Sequence, residues 1–219
     1  LAPEDRGRSR FAQPSRDSRE KRVLKLLHTV RGVGELLGLP PAIVRSGQDI
    51  MSRTIFLESN IVRDKIVISA ASVYLACKVH GFPRTLDEIS SAALIDKSLL
   101  GRTQDTISKL LDIHTQVIHP EDLIPRFLSH CGAERQGYML NDCLHVCREI
   151  INQSLFQVSS PQSVAASVIV LVCLVWNSKF HLEQLLDISS CQLTTINKIY
   201  STLRGLVRGL LPEESVNSY

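Results

Sequence analysis

ISAASVYLAC, residues Ile68–Cys77, and VAASVIVLVC, residues Val164–Cys173, decide how this chain is read. Each is small and apolar around almost its whole circumference, a composition that suits a helix only when neighbours cover it on every side. The two stretches lie 96 residues apart, and the same shift places Leu86-Asp87 on Leu182-Glu183. Repetition at a fixed period sets the architecture before any motif does. The expected fold is all-α: two tandem five-helix units, each wrapped around one of these central helices.

Working outward, Val23, Leu26, Leu27, Val30, Val33 and Leu37 form one stripe of a first helix that stops before Pro40-Pro41. Pro41 opens a second, with Ile43, Gly47, Ile50, Met51, Thr54 and Ile55 on one side. The central helix spans Asp64 to about Val79 and ends at Gly81-Phe82-Pro83. Thr85-Leu-Asp-Glu88 reads as a capping box that opens a short fourth helix to about Ala92, and a fifth runs from Lys97 to Ile113. The order then repeats over 122–130, 136–153, 161–176, 181–188 and 193–210. The expected organisation is a disordered Arg-rich arm (1–18), a first unit (19–113), a linker (114–120), a second unit (121–211) and a tail (212–219).

The chain has 219 residues and 24.4 kDa, 44% of them hydrophobic and 21% charged, enough for one large domain or two small ones without a disulfide or metal staple. Its six cysteines include no C-x-x-C pair, and buried reduced thiols are expected. There is no apolar signal-peptide core at the start, and Val164–Trp176, the longest clean apolar run, is 13 residues, too short to cross a bilayer. Residues 1–22 carry +3, the net charge of the whole chain, whereas residues 23–219 hold 18 basic and 18 acidic side chains. A neutral folded part disfavours strong independent DNA binding, so nucleic-acid contact must come from a local basic face.

A duplicated five-helix unit with a small-residue central helix resembles the cyclin box. SAASVYLACKVHGFPRTLDEIS (Ser69–Ser90) followed by Leu99-Leu-Gly-Arg102 is similar to the first cyclin repeat of the transcription factor IIB family, which carries an ACLYIAC-type helix, G-x-P-R-T, E-I and then I-G-R. SPQSVAASVIVLVC (Ser160–Cys173) resembles the corresponding segment of the second repeat, and Thr195-Ile196 matches its T-I pair. The likeness covers roughly residues 20–211 and is closer in the first repeat. The family's zinc ribbon, with its C-x-x-C pairing, has no counterpart in this sequence, so any ribbon and its zinc are expected outside it. No cofactor is expected within it.

The resemblance implies sites. Arg63 and Lys78, at the two ends of the central helix, match arginines near the stirrup loop of TATA-binding protein. Lys97 and Arg102 match the basic pair of S-K-K-E-I-G-R and would contact DNA phosphates, positioning without reading sequence. Lys109, two turns beyond Arg102, extends that stripe. For any one of these residues the plain alternative is a solvated helix face. In the second repeat, residues 181–188, the turn 189–192 and the helix from Leu193 form a helix-turn-helix. Its DNA-facing positions are Thr194, Thr195, Asn197 and Lys198. Where the family reads guanine with Arg, Asn197 stands, so altered or generic base contact is expected.

Catalytic and metal signatures do not fit. Gly32, Gly34 and Gly38 fall inside a helical stripe with no preceding strand, and His145 and Cys147 sit two apart on a helix, facing different sides. The expected role is that of a non-enzymatic, nuclear, monomeric initiation factor. It would bridge TATA-binding protein, or a related factor, on promoter DNA to RNA polymerase II, with no membrane contact. The alternatives are the related RNA polymerase III factor, which carries a long C-terminal extension, and a cyclin that activates a kinase. Tyr219 follows the last helix closely, which favours the polymerase II factor.

Overall fold

The computed structural model describes residues 16–57, 64–134 and 136–210, with side chains from 24 to 206 within those ranges. Among the described residues the chain forms ten helices and no strand: α1 (Arg16–Leu36), α2 (Pro41–Leu57), α3 (Lys65–Val79), α4 (Leu86–Ala93), α5 (Lys97–Leu110), α6 (Pro120–His130), α7 (Gln136–Asn152), α8 (Pro161–Val175), α9 (Leu182–Ser189) and α10 (Leu193–Leu210). Helices α3, α4 and α5 begin 96 residues before α8, α9 and α10 respectively, the shift read from the sequence. This is the all-α fold of two tandem five-helix, cyclin-like repeats.

The central helices are buried as their composition demands. Every residue from Val67 to Cys77 in α3 is buried, and so is every residue from Ser163 to Cys173 in α8. Their serines remain compatible with that burial because Ser69, Ser72 and Ser167 donate to carbonyls one turn back and Ser163 pairs with the Ser160 hydroxyl. Ser72 Oγ reaches Ile68 O at 2.8 Å and Ser167 Oγ reaches Ser163 O at 2.7 Å, so no hydroxyl proton is stranded. In the first repeat α1, α2, α4 and α5 pack around α3; in the second α6, α7, α9 and α10 surround α8. The two hydrophobic cores share no residue.

The larger differences from the expected boundaries lie at α1, α5 and α6. Residues 16–18, placed in the disordered arm, belong to α1, because Arg16 to Lys21 contain no Gly or Pro and let the helix propagate outward. Residues 1–15 and the tail 211–219 lie outside the described residues. Helix α5 stops at Leu110 rather than Ile113: Asp112 turns left-handed (φ 52°), and Ile113 N–H returns to Ser108 O at 2.8 Å, closing the C-terminus. The inter-repeat linker accordingly begins earlier. At its other end α6 starts at Pro120, where a missing N–H costs nothing, and His119 N–H is held by Asp122 Oδ2 at 2.8 Å.

Gly132, just after α6, has φ 64°, and a Cβ there would lie 3.0 Å from the His181 ring. Both requirements select glycine. The close approach lets His181 N–H donate to Cys131 O at 2.8 Å, which ties the start of α9 to the end of α6.

All six cysteines are free thiols, and all but Cys191 are buried. Burial pushes Cys77, Cys147 and Cys173 from 9.0 up to about 12, and raises Cys131 and Cys143. The native state therefore keeps protons that the unfolded chain releases. The stability linked to these thiols is complete below pH 9 and is lost as pH rises from about 9 toward about 12. Urea midpoints are expected to hold from pH 7 to 8.5 and fall above pH 9, with a shallower fall in Cys147→Ala.

Candidate partner and nucleic-acid interface

Each repeat presents a helix-turn-helix edge built by local chemistry. In the first, Thr85 caps α4 with a complete capping box: its hydroxyl accepts from Glu88 N at 3.1 Å, and Thr85 N–H donates to Glu88 Oε2 at 2.8 Å. Leu94 then turns left-handed (φ 53°), and Asp96 caps α5 by accepting Leu99 N–H at 2.8 Å. In the second repeat Ser190, 96 residues after Leu94, makes the same turn (φ 53°) between α9 and α10. Ile196, Ile199 and Leu203 bury one face of α10, as Leu100, Thr103 and Ile107 bury α5.

This register places Arg102 and Lys198 at equivalent exposed positions of the two closing helices. Arg102 and Lys109, seven residues apart, share one face of α5. Asp105 lies between them on that face and lowers its net positive charge. Lys97 does not join the stripe. It is five residues from Arg102, about 140° round the helix, and its ammonium is held by Asp87 at 2.6 Å.

Lys78, in the last turn of α3, is half-buried with its ammonium 5.6 Å from the centroid of the Tyr74 ring. Burial lowers its pKa, and Asp105 on α5 acts in the opposite direction, which puts Lys78 in the electrostatic reach of the Arg102–Lys109 face. Arg63, expected at the other end of the same helix, lies outside the described residues. On α10, Thr194, Thr195, Asn197 and Lys198 are all exposed. Lys78 thus sits in the last turn of α3 and Arg102 and Lys109 on α5, the helix packed against it, while Thr194, Thr195, Asn197 and Lys198 lie on α10 of the second repeat.

Polar contacts between the repeats went unread in the sequence. Arg126 on α6 makes a two-point ion pair with Glu88 on α4, with Nη2 to Oε2 at 2.9 Å and Nη1 paired with Oε1. Gln162 on α8 donates to Asp87 Oδ2 at 3.2 Å. Glu88 was legible as a helix cap, but nothing local marked a partner 38 residues away. Among the described residues no group of three or more His, Cys, Asp or Glu is arranged to hold a metal ion, and no helix is long and apolar enough to cross a membrane.

Residues 20–109 match the family model for the transcription factor TFIIB repeat. Over longer stretches the chain is similar to transcription initiation factor IIB of Xenopus laevis, 25% identical across 90% of this chain and 62% of that protein. It is also similar to transcription initiation factor IIB 3 of Halobacterium salinarum, 26% identical across 85% of this chain and 58% of the other. A third relative, transcription initiation factor IIB of Archaeoglobus fulgidus, is 25% identical across 84% and 56% respectively. The chain spans little more than half the length of these relatives.

Proposed function

The chain is a divergent core of the transcription factor IIB family, and from that premise we propose that it is a general initiation factor acting in the nucleus on promoter DNA. Its first repeat binds TATA-binding protein, or a related factor, through Lys78 and Arg63. Arg102 and Lys109 lie on DNA phosphates beside that contact. The α10 residues Thr194, Thr195, Asn197 and Lys198 approach the duplex from the second repeat, and the assembled complex bridges to RNA polymerase II. It is a binding module rather than an enzyme.

The observation that carries this reading is the paired exposed cation, Arg102 in one repeat and Lys198 in the other, on a body close to neutral, since residues 16–219 hold 22 basic and 20 acidic side chains. A nearly neutral body with two small basic edges gains little from DNA alone, because sequence-independent affinity scales with the phosphates neutralised. A composite surface of bent DNA and a protein partner supplies the remainder. Asn197 can pair with adenine but cannot grip guanine as Arg does, so base preference at that position differs from the family's.

Recovery on immobilised TATA-binding protein, with and without promoter DNA, tests the assignment. Lys78→Glu together with Arg63→Glu is expected to cut recovery at least about tenfold, the effect of about 1.4 kcal/mol, with helix content by circular dichroism unchanged. Unchanged recovery would remove the first repeat from the partner contact.

A further inference from the structure

The two cores share no residue, and side-chain hydrogen bonds between the repeats join Arg126 to Glu88 and Gln162 to Asp87. Between the repeats opens a cavity of about 750 Å³, lined by Leu37, Arg84, Glu88, Arg126, His130 and Asp187 among others. Two guanidinium groups, Arg84 and Arg126, line it together with the carboxylates of Glu88 and Asp187. Arg126 takes Glu88 at two points, while Glu88 Oε2 also accepts Thr85 N–H at 2.8 Å. Arg84 is 8% exposed; its Nη2 donates to Leu37 O at 3.1 Å, and its guanidinium stacks 4.8 Å from the Phe82 ring centroid.

This arrangement is incompletely satisfied. Arg84 Nη1 and Arg126 Nε are both buried without a hydrogen-bond partner among the described residues. A buried donor that has left water and found no acceptor opposes the state that buries it. Burial lowers the pKa of Arg84, and Arg126 lowers it further, as two like charges brought together must. Glu88 offsets part of that repulsion. Removing one member of such a cluster leaves uncompensated charge, whereas replacing an unsatisfied charge by an apolar side chain of similar size is often stabilising.

We propose that Glu88, Arg84 and Arg126 form a pin between the repeats in which Glu88 holds the seam closed and Arg84 opposes closure, so that the chain is built to change the angle between its two halves. Closure rests on the Arg126–Glu88 ion pair, with the Gln162–Asp87 hydrogen bond beside it, and the two hydrophobic cores do not merge across the seam. Opening would return Arg84 Nη1 and Arg126 Nε to water and cost little core burial. The angle set here also fixes the relation between the α5 and α10 edges, but the inference stands on the seam alone.

Two substitutions of opposite expected sign test it on the full chain. Glu88→Gln keeps a side-chain acceptor for the Thr85 cap while removing the charge that binds Arg126. Arg84→Met removes the opposing charge and the stranded Nη1 while retaining most of the side chain's bulk. Small-angle scattering is expected to show a larger radius of gyration for Glu88→Gln and no increase for Arg84→Met. Melting temperature is expected to fall by about 5 °C in the first and rise by about 2 °C in the second, with helix content unchanged in both. If both variants melt lower, or scattering is the same for all three proteins, the cluster is an ordinary structural ion pair and the proposal fails.

Discussion

Phe127→Ala is expected to destabilise the second repeat by about 3–5 kcal/mol while leaving the first repeat's unfolding unchanged. Phe127 is 0% exposed, the largest fully buried side chain among the described residues, and it belongs to the core that collects residues from α6, α7, α8, α9 and α10. Truncation removes its burial and leaves a cavity that helices pinned on several sides cannot close. Because the two cores share no residue, the loss has no packed route into the first repeat. Calorimetry is expected to resolve two transitions and to show one of them falling by on the order of 15 °C in the variant. A single transition that moved as a whole would mean that the repeats unfold as one unit, contrary to the polar seam between them.

Arg102→Glu combined with Lys109→Glu has the second large effect. The two side chains share a face of α5, and both are exposed. If each neutralises one phosphate, removing both lowers the slope of log affinity against log salt by about 1.8 in magnitude, or about 60-fold in affinity at 0.1 M salt. The proteins to compare are the parent and the variant, each titrated into a preformed complex of TATA-binding protein and promoter DNA at several salt concentrations. Equal slopes would show that the α5 face does not touch the duplex. Lys97→Glu is the internal contrast. Its ammonium already pairs with Asp87, so reversing it changes the slope less than either member of the stripe.

The parts of this structure legible in the sequence are those determined by neighbours in the chain. Small apolar residues over 68–77 and 164–173 marked the two central helices because such surfaces need cover on all sides, and both are buried there. The Thr85–Glu88 capping box was readable for the same reason, since its partners are three residues apart. Contacts between distant segments were not. The partner of Glu88 is Arg126, and that of Asp87 is Gln162, 75 residues away; a single sequence carries no sign of either.

Lys97 illustrates the same limit within the candidate site. Its place at the start of α5 and its basic character made it a phosphate contact. Only the fold of α4 against α5 brings Asp87 onto it, across ten residues and a left-handed turn at Leu94. The 96-residue register, by contrast, was visible early, and it makes Lys198 the counterpart of Arg102. At the N-terminus of α1, charge and serine content point to a disordered arm, whereas the absence of Gly and Pro from 16 to 21 lets the helix extend outward.

The central claim is that a nearly neutral two-repeat body recognises a composite of protein and DNA and neither component strongly by itself. A gel shift with labelled promoter DNA measures this directly, using the chain alone, TATA-binding protein alone and the two together at one salt concentration. The account predicts a slower-migrating ternary complex at chain concentrations that give no shift without TATA-binding protein. A tight, sequence-selective shift by the chain alone, or no ternary band at any concentration, would contradict it.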